Sequence, residues 1–153
     1  VFSQYEKNAK NLSLHFRLRD AGSVDLGFYG NDLATKDGVV TSNAWHNLTF
    51  VMDVAAKTRT IYVDGEEKAS DKPETLYVAK TGDTIIGGWN RVDKGVKKAY
   101  QKYIGKVDEV RVWSRVLSKD EIAASMQKGS LMSAASVDSE GRLTTTWGLL
   151  KAN

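Results

Sequence analysis

The chain has no cysteine, one proline and two histidines. Without thiols it can form neither disulfides nor thiolate metal sites, although secreted proteins can lack disulfides too. Two histidines with no cysteine beside them make no zinc-type ligand cluster. Net charge is also scarce, at +3 with a pI near 9.0. Lysines gather in "RVDKGVKKAYQK", Arg91 to Lys102, but no nucleic-acid motif accompanies them. That cluster reads as a solvated basic loop, with an anionic glycan or phosphate as the other reading. No apolar run approaches the roughly 20 residues that cross a bilayer, so membrane insertion is not expected. A basic-then-apolar leader is lacking too, and Val1 begins abruptly; a signal peptide is expected to have been removed or to lie outside this sequence.

What is present is soluble and globular in composition: 27% charged and 41% hydrophobic residues over 153 positions, enough for one domain with a substantial core. Period-two alternation dominates. In "NLSLHFRLRD", Leu12, Leu14, Phe16 and Leu18 point one way and Ser13, His15, Arg17 and Arg19 the other. "VDLGFYG" places Val24, Leu26 and Phe28 inside, "WHNLTFVMD" Leu48, Phe50 and Met52, and "TRTIYVDGE" Ile61 and Val63. Asp64-Gly65 is a two-residue hairpin signal. "TIIGG", "KVDEVRVW" and "RLTTTW" supply further strands. Thirteen glycines and regularly spaced turns favour an antiparallel β-sandwich.

One helix interrupts the pattern. Ser118-Lys119-Asp120-Glu121 has the S-x-x-E form of a capping box, with acidic residues where the helix dipole favours them. The helix is expected over 119–128, ending near Gly129, with Ile122, Ala123, Met126 and Leu131 as its apolar stripe. In the preceding strand Val110 and Val112 face inward. Ile104 and Val107 fit the same face only if a bulge lies near Asp108-Glu109. A carboxylate turned inward there would need hydrogen bonds or a cation, which makes Asp108 the one candidate metal ligand.

Taken in order, "AWHNLTFVMD", "RTIYVDGE", "TIIGG" and "YIGKVDEVRVWSRVLSKDEI" resemble the signature of laminin-G-like, concanavalin-A-like jelly rolls, an order that pentraxins share. The resemblance covers most of the chain and implies one domain over 1–153, part of a larger protein. It implies packing roles for Trp45, Trp113 and Trp147. Two departures matter. Members of this group carry a few dozen residues, including about two core strands, before the strand that Val1-Phe2-Ser3 resembles. An inner-face row near Leu12–Leu18 or Leu143–Trp147 should therefore lack cover, to be filled by a homo-oligomer, by the chain's own tail or by a segment of the parent protein. Pentraxin-like calcium sites use an Asp-Asn pair and an acidic cluster; here the matching stretches read Lys10-Asn11 and "GGWNRVD", so that site is expected to be lost. No cofactor is required, and a structural calcium at Asp108 is the one ion left open.

Glucanases of this architecture carry an E-x-D-x-x-E strand whose carboxylates share a cleft. Asp108 and Glu109 are adjacent instead, so a regular strand would send them to opposite faces, and no enzyme is expected. Sugar binding needs an aromatic face beside planar polar groups. Trp89, Asn90 and Arg91 offer that set; the alternative is that Trp89 folds back over the sandwich rim. Tyr29, Asn31 and Asp32 form a second candidate, with turn chemistry as the alternative. Arg17 and Arg19, with His15 and Tyr62, form a third that could clamp a carboxylate or sulfate, unless Asp25 pairs with them. The function expected is a non-catalytic, extracellular or cell-surface carbohydrate-binding or adhesion module, with a glycan or extracellular protein as partner. The rival is a structural subunit packing through its sheet edge.

Overall fold

The structure is a computed structural model that describes residues 1–6, 9–93, 96–100 and 102–127, and of 90–93 and 96–100 the backbone alone. One antiparallel sheet has the order β4-β3-β2-β1-β8, built from β1 (Phe2–Tyr5), β2 (Ser13–Leu18), β3 (Val24–Gly27), β4 (Asp32–Ala34) and β8 (Asp83–Ile86). A second has β5 (Leu48–Asp53), β6 (Thr58–Val63) and β7 (Glu66–Asp71) in sequence order. β9 (Trp89–Asp93) and β10 (Val96–Tyr100) pair as a hairpin. The fold is an all-β jelly-roll sandwich with one short helix.

Alternation sets the faces. Val24, Leu26 and Phe28 from one sheet meet Ile61 and Val63 from the other, all five buried. Arg59 lies among them, its guanidinium 5.0 Å from the Phe28 ring centroid and paired in fork geometry with Asp71. Such a buried cation is tolerated because every hydrogen-bonding edge it turns inward meets an acceptor, the third being the Asn31 carbonyl. Asp64 and Gly65 both have positive φ, as a type I′ turn requires, and the β6–β7 hairpin follows the Asp-Gly signal.

The helix α1 (Lys119–Ser125) starts where the capping box put it. Glu121 N–H donates to the Ser118 hydroxyl, and Ser118 N–H donates to the Glu121 carboxylate. Arg115 grips that carboxylate with both terminal nitrogens and holds its pKa down to about 2, aided by the Ser118 amide. Ile122 is buried, but of the expected stripe Ala123 is exposed and Met126, which reaches the β6–β7 turn at Gly65, stays 39% exposed. The helix ends at Ser125 with Met126 as its C-cap, short of the expected 128. Leu131, Gly129, the strand expected at "RLTTTW" and Trp147 lie outside the described residues.

Three expectations need correction. No strand forms over 106–113: Glu109 turns to a φ of 53°, and Asp108 accepts from the Glu109 N–H instead of facing a core. A strand exists only as ladder bonds to a neighbour, and no described residue supplies one to this segment; Val110 and Val112 stand 47% and 81% exposed. Trp45 is exposed rather than packed, and Trp113 is half-covered beside the Arg115 guanidinium. The basic stretch after Trp89 is not a loop but the β9–β10 hairpin. β7, whose "EEKASD" lacks alternation, gave no strand signal at all.

Candidate functional site

The outer face of the five-stranded sheet is the unusual surface. β2 turns Ser13, His15 and Arg17 outward, and Arg19 follows at its end. The register sets His15 opposite both Ser3 of β1 and Gly27 of β3, and Arg17 opposite Asp25. An outer sheet face would ordinarily be wet. This one is covered, and Ser3, Tyr5, Ser13, His15 and Asp25 are all buried. The cover begins with Trp89, whose ring centroid lies 6.3 Å from Tyr5 and 6.1 Å from His15. The Ser3 hydroxyl donates to the Gly88 carbonyl at 2.9 Å, fixing the entry to β9.

Asp25 organises the charged end. Its Oδ2 accepts a hydrogen bond from Arg19 Nε at 2.7 Å and forms ion pairs with Arg19 Nη2 at 2.6 Å and Arg17 Nη2 at 2.9 Å. Two guanidiniums are thereby held side by side on one carboxylate, with Arg17 also 3.4 Å from Asp32. Asp25 Oδ1, Ser13 Oγ, Arg17 Nε and both His15 ring nitrogens are buried without a hydrogen-bond partner. Buried polar groups normally find partners, so this run of them under a cover sets the face apart from the apolar core as a polar layer.

Asp32 closes the row. His15 Nε2 lies 3.5 Å from Asp32 Oδ1, which also accepts from the Phe28 N–H. The His15 imidazole, then the Arg17 guanidinium and the Phe28 amide, hold the Asp32 carboxyl below its ordinary value, against the opposing pull of partial burial. A depressed carboxylate contributes stability that is complete above its unfolded pKa and is lost as pH falls through the folded one. Asp32→Asn should therefore flatten the acid limb of the stability curve below the ordinary value of 3.8 while leaving its slope near neutrality unchanged. Urea unfolding of both proteins from pH 6 to pH 2 checks this; parallel acid limbs would remove Asp32 from the linkage.

The structure brings together Arg17, Arg19, Asp32 and Trp89 out of the residues singled out in sequence. Tyr62 does not join them, because β6 belongs to the other sheet. Tyr29 and Gly30, both at positive φ, form the turn between β3 and β4. Asn31 is tied into the scaffold: its Nδ2 donates to Asn11 Oδ1 and to the Thr75 carbonyl. Asn90 and Arg91 lie on β9, and their side chains are outside the described residues. Asp108 is exposed, and no group of three or more His, Cys, Asp or Glu suited to a metal occurs among the described residues. Gly27 was missed. A Cβ there would sit 1.9 Å from His15 Nε2, so the missing side chain is what lets the imidazole lie across β3. The available signal was a glycine in the strand facing β2, together with the opposed charges at 17 and 25.

A second cluster joins Thr41 Oγ1 to His46 Nε2 at 3.1 Å and His46 Nδ1 to Asp64 Oδ2 at 2.7 Å. The order is that of a hydrolase triad. The same Nε2 also accepts the Thr41 backbone N–H, and Asp64 Oδ1 accepts the Asn47 N–H. These contacts pin the 41–46 loop to the β6–β7 turn, a bracing role.

The laminin G type model of the Concanavalin A-like lectin/glucanases superfamily matches residues 1–123. The chain belongs to that superfamily. Among solved structures it is similar to the CBM40 of the Ruminococcus gnavus IT-sialidase, with a TM-score of 0.65 and 21% identity, over 80% of this chain and 71% of that one. A weaker likeness, TM-score 0.43 at 20% identity, is to residues 221–444 of an S-layer domain-containing protein from Clostridium thermocellum, over 80% of this chain and 60% of that one. No curated protein sequence matches.

Proposed function

We propose that this superfamily member is a non-catalytic carbohydrate-binding, lectin-like module working at the cell surface or outside the cell. Its glycan site is the open end of the outer sheet face, where Arg17, Arg19 and Asp32 reach solvent beside the cover that begins with Trp89. The observation that carries this reading is the pair of half-open guanidiniums, Arg17 and Arg19, braced on the buried Asp25 carboxylate. Sugar hydroxyls both donate and accept, so they suit an edge where the Arg17 and Arg19 guanidiniums and the Asp32 carboxylate are partly open to solvent. The family match and the carbohydrate-binding module among the similar folds support the same reading. Asn90 and Arg91 follow Trp89 on β9, and Tyr29 and Asn31 lie at the β3–β4 turn.

The test is a glycan array of neutral and acidic oligosaccharides, with and without calcium, followed by titration calorimetry on the best ligand. Trp89→Ala should weaken binding about fivefold to tenfold, the value of one aromatic face at ~1 kcal/mol. Affinity should survive chelation of calcium. Unchanged affinity in Trp89→Ala would move the site away from this face.

A further inference from the structure

The charged groups at the open end of the outer face are paired with one another. Asp32, Arg17, Asp25 and Arg19 follow in a row of alternating sign. Arg17 Nη2 lies 3.4 Å from Asp32 Oδ2 and 2.9 Å from Asp25 Oδ2, and Arg19 Nη2 lies 2.6 Å from the same Asp25 oxygen. Each guanidinium therefore stands against a carboxylate of this chain before any ligand arrives. A clamp for carboxylate or sulfate needs the reverse, two cations whose counter-charge the ligand supplies. Asp25 has taken that place. Its side chain is 0% exposed, so an incoming anion that displaced it would strand a buried charge.

Asp32 is the carboxylate of the row that a ligand meets. Its side chain is 31% exposed, beside 29% for Arg17. One of its oxygens serves the scaffold: Oδ1 accepts from the Phe28 N–H at 3.1 Å and faces His15 Nε2 at 3.5 Å. Oδ2 meets Arg17 Nη2 at 3.4 Å, longer than the roughly 2.7–3.2 Å of a well-made N–H···O bond, so it keeps accepting capacity beside a donor. The His15 ring, then Arg17 and the Phe28 amide, hold the carboxyl below its ordinary value, and it is ionised at neutral pH. A sugar hydroxyl matches this pair of groups, because it can donate to Asp32 Oδ2 while accepting from a guanidinium. A carboxylate or sulfate can only accept, and it would set a second negative charge beside Asp32.

We infer, on the basis of the glycan site proposed above, that the site selects neutral sugars and that Asp32 is its specificity-determining residue. Asp32 accepts a hydrogen bond from a ligand hydroxyl and repels acidic sugars. Such discrimination joins a repulsive element to an attractive one, and here a single carboxylate supplies both.

Titration calorimetry compares a neutral oligosaccharide from the array with its uronic acid counterpart, in which one hydroxymethyl group is oxidised to carboxylate. The neutral sugar should bind at least about tenfold more tightly, a modest effect for like charges at a half-open site. Its affinity should change less than about twofold between about 50 and about 300 mM salt, since the ligand brings no charge to be screened. Asp32→Asn keeps an acceptor for the Phe28 N–H but loses the charge. It should weaken the neutral sugar and strengthen the acidic one, narrowing the gap to about threefold or less. Selectivity and salt dependence are read on the unmodified chain, so they decide the matter even if Asp32→Asn does not fold. Tighter binding of the acidic sugar, at a site that Trp89→Ala still weakens, would overturn the ligand class and leave the glycan site standing. A steep loss of affinity with salt would do the same, with the basic residues of β9 and β10 then drawing an anion. An unchanged gap in Asp32→Asn would remove Asp32 as its cause. Binding of neither sugar class would overturn the glycan site and the ligand class together.

Discussion

Asp25→Ala should cost the domain about 3 kcal/mol, the lower end of the range for breaking a buried charge pair. The Asp25 side chain is 0% exposed, and its Oδ2 takes one N–H bond from Arg19 and ion pairs with both Arg17 and Arg19. Removing it leaves two guanidiniums facing each other with no counter-ion between them. Water reduces the damage, because Arg17 and Arg19 keep 29% and 54% of their side chains exposed and can swing outward. That is why the lower end of the range is expected. Asp25→Asn keeps the shape and one acceptor but not the charge, and should fall between wild type and alanine. Urea unfolding at neutral pH measures all three. A loss below about 1 kcal/mol for alanine would mean that the arginines rehydrate freely and that Asp25 is no bracket. Glycan affinity should fall in parallel, since the two guanidiniums would no longer be held side by side.

Gly27→Ala should disable the site through sterics alone. The added carbon would meet His15 Nε2 at 1.9 Å, His15 Cδ2 at 2.5 Å and Asp32 Oδ1 at 2.6 Å. Both side chains must leave, and with them the support beneath Trp89. Overpacking of this kind costs about 1–3 kcal/mol in stability. Glycan affinity should drop more than tenfold, because the surface itself is rearranged. A double-mutant cycle with His15→Ala isolates the cause. With the imidazole gone, Gly27→Ala should cost much less than it does in the wild type. An equal cost in both backgrounds would assign the close approach to Asp32 rather than to His15.

Much of this architecture was legible because strands write a period of two. Leu26, Phe28, Ile61 and Val63 were read as core from alternation alone and are buried. The capping box at Ser118 was legible for a different reason, since its partners are three residues apart and need no tertiary contact. Asp64-Gly65 belongs with it, as a turn whose backbone angles are a local property. The segment 106–113 shows the limit of such reading. Its valines alternate as a strand's should, yet pairing depends on a neighbour, and none stands beside it among the described residues. The arginines were read correctly as an outward row, and Asp25 as their alternative partner; how deeply that row is covered was not legible.

Alternating residues on β2 and β3 determined by themselves that this chain makes a sandwich and which side of each strand is polar. Tertiary structure alone decided that the polar side is buried. Trp89 stands more than seventy residues from His15 in the chain, and no local pattern records that its ring comes to rest there. Burial is the sum of contacts made by distant segments, whereas alternation is a property of neighbouring ones. A site formed by covering a polar strand face therefore becomes visible only once the chain has folded back over it.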